Sequence, residues 1–137
     1  MNWTLEAVAI PVSDADRAKA LYAEKIGFTV DYDTRGDDGS GFVQLTPRGS
    51  SCSVMLGKGV VDSKPGSTSG LWLVVPDVLA ARAELAGRGV EVSEPHVFDG
   101  AGFRPATGDD DLDLVGFVFF SDTDGNGWAV QQIASRG

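Results

Sequence analysis

His96 is the only histidine in this sequence, and the only side chain whose unperturbed titration falls near neutral pH. It follows Pro95 at the head of a stretch without clear periodicity, residues 93–113. Its chemistry suits a general acid or base; the competing reading is a loop histidine bonded to backbone or water, since no carboxylate partner is identifiable. Arg104, beside Phe103 in GAGFRPATGDDD, either closes over an anionic substrate as part of a lid or pairs with its own acidic neighbours. Asp109, Asp110, Asp111 and Asp113 follow Gly108. Such a loop can bind calcium or magnesium loosely, but consecutive aspartates beside a glycine are more often solvated surface. Cys52 is the single cysteine, which excludes an intrachain disulfide and a cysteine-based metal site.

These groups need a scaffold, and the bulk properties bound it. The 137 residues suffice for one domain or for two small modules sharing a core, and 42% apolar residues can fill that core. Asp and Glu outnumber Lys and Arg by 20 to 11, a net charge of −9 with no compensating basic cluster. That charge repels phosphate backbones and anionic headgroups, so neither nucleic acid nor a membrane surface is an expected partner. No basic stretch leads into an apolar run at the N-terminus, and no apolar segment approaches membrane-spanning length. A cytoplasmic protein is the expectation.

Residues 5–12 are apolar and extended in character, and Ser13 or Asp14 caps a helix. That helix places Ala18, Leu21, Tyr22 and Ile26 on one face and stops at Gly27. Strand-like stretches follow at 28–34, 41–46 and 51–56. Residues 57–70, rich in glycine and serine, read as a linker. The pattern then restarts: a strand at 70–75, a cap at Asp77, a helix at 78–86, a strand at 90–92, and strands at 114–120 and 127–133 around the turn SDTDGN. A shift of 63 positions lays Val12 on Val75, Asp14 on Asp77 and Ala18 on Ala81. The unit strand, aspartate cap, helix, glycine stop and three strands therefore occurs twice. Two βαβββ modules, about 1–57 and 70–137 with a linker at 58–69, would each be too small to bury both faces of a sheet.

The segments LEAVAIPVSDADRAKALYAEKIGF, VQLTPRGSSCSVMLGKG, GLWLVVPDVLAARAELAGRGVEVSEPHVFDG and FVFFSDTDGNGWAVQQI resemble the glyoxalase, bleomycin-resistance and extradiol-dioxygenase superfamily, the vicinal oxygen chelate proteins. The opening V-S-D-x-x-R-A-x-x-x-Y-x-x-x-x-G-F and the closing D-x-D-G-N-x-W are specific in combination. Within that superfamily the chain is similar to an actinobacterial glyoxalase-like group. The resemblance implies an α+β fold in which paired modules form a cupped, incomplete barrel with the ligand inside, and often a homodimer. It also implies metal-ligand positions, which here are Ala7, Gly70, Ala129 and either Ser53 or Met55. Transition metals need imidazole, carboxylate or thiolate donors at about 2.0–2.3 Å. Alanine and glycine offer none, so no metal and no cofactor are expected, and glyoxalase I and dioxygenase activities are expected to be absent.

If Gly70 and Ala129 face the cup, strand alternation puts Trp72, Val74, Gly127 and Gln131 there too, with Trp128 and Val130 in the core. Trp72 is then either a flat wall for a planar ligand or a filler of vacated space. Gln131 needs a hydrogen-bond partner, which a ligand could supply. The ligand-binding candidates are therefore Trp72, Gln131, His96 and Arg104. Two functions follow from the resemblance: a metal-free protein that binds a small apolar or planar molecule in the cup between the modules, or a metal-independent isomerase, cyclase or lyase using His96, Gln131 or Asp113.

Overall fold

The computed structural model describes residues 1–136. The chain forms two compact units. The first comprises residues 1–68 together with 122–126, and the second runs from Ser69 to Ser121 and resumes at Gly127. Among the described residues, no helix is long and apolar enough to cross a membrane.

In the first unit, β1 (Ala7–Ala9) leads into α1 (Ala15–Ala20) and a π-helical segment (Leu21–Ile26), then β2 (Thr29–Asp33), β3 (Val43–Thr46) and β4 (Ser53–Leu56). Asp14 caps α1 by accepting from the Arg17 amide at 3.1 Å. The expected uniform helix widens after Ala20, and the amides of Gly27 and Phe28 both donate to the Tyr22 carbonyl. The wider turn accompanies burial of the consecutive residues Leu21 and Tyr22. Gly27 ends it at φ 94°, a left-handed conformation that favours glycine. The open sheet has the order β1-β4-β3-β2, with β1 parallel to β4 and the other pairs antiparallel.

The second unit holds β5 (Leu71–Val75), α2 (Val78–Gly87), β6 (His96–Phe98), β7 (Phe103–Pro105), β8 (Gly116–Ser121) and β9 (Gly127–Gln132). Its sheet order is β5-β9-β8-β6-β7. The first four strands repeat the topology of the first unit, including the parallel outer pair, and β7 adds an edge. Asp77 caps α2 through the Ala80 amide at 3.0 Å, matching Asp14 in the first unit. Helix α2 packs on β8 and β9, where Val118, Phe120, Trp128 and Val130 are buried. Phe120 and Trp128, register partners, stack with centroids 6.0 Å apart. This is the core side that strand alternation assigns to Trp128 and Val130.

Two expectations need correction. The stretch 93–113 is not irregular throughout: within it, β6 and β7 form a hairpin whose turn is held by Asp99, with its Oδ1 accepting from the amides of Ala101 and Gly102. Residues 90–92 form no strand and make a single bridge, Val92 to Phe120.

The segment read as a linker is pinned within the first unit. Its Gly66 amide donates to the Pro11 carbonyl, and Thr68 donates to Asn126 Oδ1 at 3.0 Å. A Cβ at Gly66 would lie 2.1 Å from the Asp124 carbonyl oxygen, and φ there is +83°, so only glycine fits. Residues 122–126 complete the unit. Asp122 Oδ1 accepts from the amides of Asp124, Gly125 and Asn126, while Oδ2 accepts from Tyr22 Oη at 2.7 Å and Asn126 Nδ2 at 2.8 Å. Asn126, fully buried, also donates to the Pro11 carbonyl. Asp124 accepts from the amide and hydroxyl of Ser13, and Arg17 donates to the Thr123 carbonyl.

Removing the Tyr22 hydroxyl strips a donor from a buried carboxylate. Tyr22→Phe should lower the unfolding free energy by about 1–3 kcal/mol, read as a reduced urea midpoint at unchanged slope.

Candidate functional site

On the sheet face opposite α2, register aligns side chains across all five strands. Trp72 lies across from Ala129, which lies across from Phe119; Val74, Gln131, Phe117 and His96 form the next row. On β6 and β7, Phe98 faces Phe103. The result is a continuous aromatic surface. Trp72 meets Phe117 edge-on at 5.2 Å, Phe117 and Phe119 stack at 6.1 Å, and Phe103 contacts both edge-on at 5.0 Å. Phe98 extends the cluster through Phe103, and His96 packs against Phe119 at 5.8 Å. Phe117 is buried, but Trp72, Phe98 and Phe103 are 55%, 42% and 46% exposed. Large aromatic side chains left this open on a packed base form an apolar platform for a planar molecule.

Trp72 and Gln131, expected to share a face, are bonded to each other. The indole Nε1 donates to Gln131 Oε1 at 2.9 Å, and Gln131 Nε2 donates to the Leu114 carbonyl at 2.7 Å. The amide thus finds within the unit the partners that a ligand could otherwise supply. Its grip on Leu114 matters, because Leu114 is the one described non-glycine residue with positive φ, 68°. Leu114 also donates its amide to the Gln132 carbonyl, so both its backbone groups are tied down. A leucine in this region costs on the order of 1–3 kcal/mol, and these two bonds help hold it.

His96 Nδ1 donates to the Glu94 carbonyl at 2.7 Å. A carbonyl only accepts, so the proton sits on Nδ1, and in the neutral ring Nε2 keeps its lone pair. No carboxylate contacts the ring among the described residues. Arg104 alternates with Phe103 and Pro105 along β7 and so lies on the other face of the sheet. Its guanidinium grips Asp110 with two bonds of 3.0 and 2.9 Å and lies 3.9 Å from Asp99. The arginine holds the Asp110 carboxyl well below the usual carboxylate range. The platform therefore unites Trp72, Gln131 and His96 and leaves Arg104 out.

Phe98 and Phe103 are the site residues that periodicity overlooked. Their signal was local: Asp99–Gly100 between H-V-F and F-R-P is a hairpin turn flanked by alternating residues.

The ligand positions implied by the resemblance do not fit a metal. Ala7 pairs with Ser53 across β1 and β4, and Ala129 pairs with Trp72. Ser53 Oγ is spent on Thr46 at 2.7 Å and Gln44 Nε2 at 3.2 Å, and Thr46 donates onward to Asp31. Among the described residues, no three His, Cys, Asp or Glu side chains are grouped to hold an ion. An open hollow of about 510 Å³ in the first unit, lined by Asp16, Asp33, Arg35 and neighbours, is a poorer site. Its charges neutralise one another: Arg35 bonds both Asp33 and Asp16, and Lys19 bonds Asp33.

The model of the Glyoxalase/Bleomycin resistance protein/Dioxygenase superfamily matches residues 4–130. TnmS3, an antibiotic binding protein from Streptomyces sp. CB03234, is 30% identical, with 96% of this chain and 97% of that one covered and a TM-score of 0.74. A glyoxalase/bleomycin resistance protein from the same organism is also 30% identical, with 94% and 100% covered and a TM-score of 0.71. A superfamily member from Sphaerobacter thermophilus DSM 20745 is 27% identical, with 96% and 98% covered and a TM-score of 0.74. No curated protein matches the chain in sequence.

Gln131→Ala should cost about 1–2 kcal/mol of stability and, by freeing the indole, shift the Trp72 contribution to fluorescence toward that of a solvated tryptophan. The Asp33 carboxyl is held well below its ordinary value of 3.8 by Arg35 and then Lys19. A depressed acid stabilises fully above its unfolded value, and that contribution is lost as pH falls from 3.8 through the lower folded value. In Asp33→Asn, the urea midpoint should lose this component of its decline below that pH.

Proposed function

The chain belongs to the Glyoxalase/Bleomycin resistance protein/Dioxygenase superfamily, and on that premise we propose that it is a metal-free binding protein for a small, planar, largely apolar molecule. The observation that carries this reading is the aromatic surface of Trp72, Phe98, Phe103, Phe117 and Phe119, open at its rim and packed beneath. Stacking on such a surface recognises flat π-systems without requiring a charged anchor. The net charge of −9 favours a neutral or cationic ligand over an anionic one. The description of TnmS3 as an antibiotic binding protein supports an antibiotic-like ligand class for this chain. Ala7, Gly70 and Ala129 stand at the implied ligand positions with no donor atoms, so glyoxalase I and dioxygenase chemistry is absent from the proposal.

Turnover would need a poised base. His96 is bonded to a backbone carbonyl rather than to a carboxylate, which suits recognition better than proton abstraction.

The test is to incubate the purified protein with extract of its source organism, wash it, and identify retained molecules by mass spectrometry before and after prolonged incubation. A planar molecule returned unchanged, and bound at least tenfold more weakly by Trp72→Ala, is the expected result. A molecule returned with altered mass or isomeric form would make the protein an enzyme and overturn the binding-only reading. Retention unaffected by Trp72→Ala would remove the aromatic surface from the site.

A further inference from the structure

The aromatic platform contains few polar side-chain atoms, and almost all are spent. Trp72 Nε1 is committed to Gln131, Gln131 is committed to Trp72 and Leu114, and His96 Nδ1 is committed to the Glu94 carbonyl. His96 Nε2 alone among them has no hydrogen-bond partner among the described residues. The ring is half-buried, set on β6 directly across from Phe117 and edge-on to Phe119. Its neighbours within the row are apolar, and its tautomer is fixed from behind by a group that can only accept. The outcome is a pre-oriented ring acceptor on a largely apolar, π-rich surface whose other polar side chains, Trp72 and Gln131, are bonded to each other.

Resting on the binding role proposed above, we infer that His96 determines specificity, selecting planar aromatic ligands that carry a hydroxyl or N–H donor at their edge. A ligand laid against Phe119 and the exposed rings of the rim without such a donor leaves Nε2 desolvated and unpaired, whereas a phenolic hydroxyl donates to it. An unpaired buried acceptor is penalised more heavily than a made bond is rewarded, so this one atom discriminates where the ring surfaces do not. Carboxylated aromatics are disfavoured by the neutral ring, to which they bring an acceptor against an acceptor, and by the negative charge of the protein.

The test uses 2-naphthol and 2-methoxynaphthalene, which share a ring system and differ in the donor. Isothermal titration calorimetry on the unmodified protein should show 2-naphthol binding about fivefold to tenfold more tightly. His96→Phe keeps an aromatic ring beside Phe119, and should abolish the preference while retaining 2-methoxynaphthalene affinity. His96 is the only histidine, so its nitrogen-15 resonances need no assignment. The Nε2 signal should shift with 2-naphthol and stay still with 2-methoxynaphthalene, a readout that holds even if the variant does not fold. Equal affinities with an unmoved Nε2 signal would overturn the role of His96 and leave the platform intact. Failure of both probes to bind would overturn the platform reading and this inference with it.

Discussion

The carboxylate of Asp122 is the constraint around which the first unit is arranged. A buried carboxylate is tolerated only when its lone pairs are met, and here three amides, a phenol and a carboxamide meet them. Each donor fixes something larger. The amides fold residues 122–126 into a compact turn, Tyr22 sets the roll of the π-helical segment, and Asn126 reaches on to Pro11 and Thr68. Ser13 and Arg17 close the remaining side through Asp124 and Thr123. The two motifs that make the family resemblance visible, S-D-x-x-R with its tyrosine and D-x-D-G-N, are thus the two halves of one hydrogen-bonded cluster. Their role is architectural, and none of these residues belongs to the aromatic platform.

That division explains how the fold and the site were legible to different degrees. Asp14 and Asp77 cap helices through short-range chemistry written within four consecutive residues, and alternation places Trp128 in the core and Trp72 outside it. Both signals act locally and are readable without tertiary information. The β6–β7 hairpin was not read, because three-residue strands are too short for a period of two to emerge between prolines and glycines. Gln131 shares a sheet face with Trp72, as alternation predicts, but its partners are an indole from another strand and the carbonyl of a strained leucine, and no local pattern encodes either. Arg104 illustrates the same limit. Its competing readings depended on one strand's parity, and β7 was not recognisable as a strand.

Aromatic surface and polar satisfaction divide the second unit's sheet. On the α2 side, Val118, Phe120, Trp128 and Val130 are packed away from solvent. On the other side, equally large rings remain open, and the polar groups among them are bonded to one another. A surface with this composition recognises shape and π-character first. Charged recognition is directed elsewhere: Arg35 and Arg104 are each held by aspartates, so neither is left to attract an anion.

The cluster around Asp122 also bears on how the chain is made. Ser13, Tyr22 and Pro11 find their partners 111, 100 and 115 residues further along. During vectorial synthesis, β1 to β4 leave the ribosome before Asp122 and Asn126, which bond the Tyr22 hydroxyl and the Pro11 carbonyl, have been made. The first unit therefore cannot reach its final form until residues 122–126 have been translated. Contacts of such high sequence separation slow folding, and they leave an early intermediate with an exposed sheet edge.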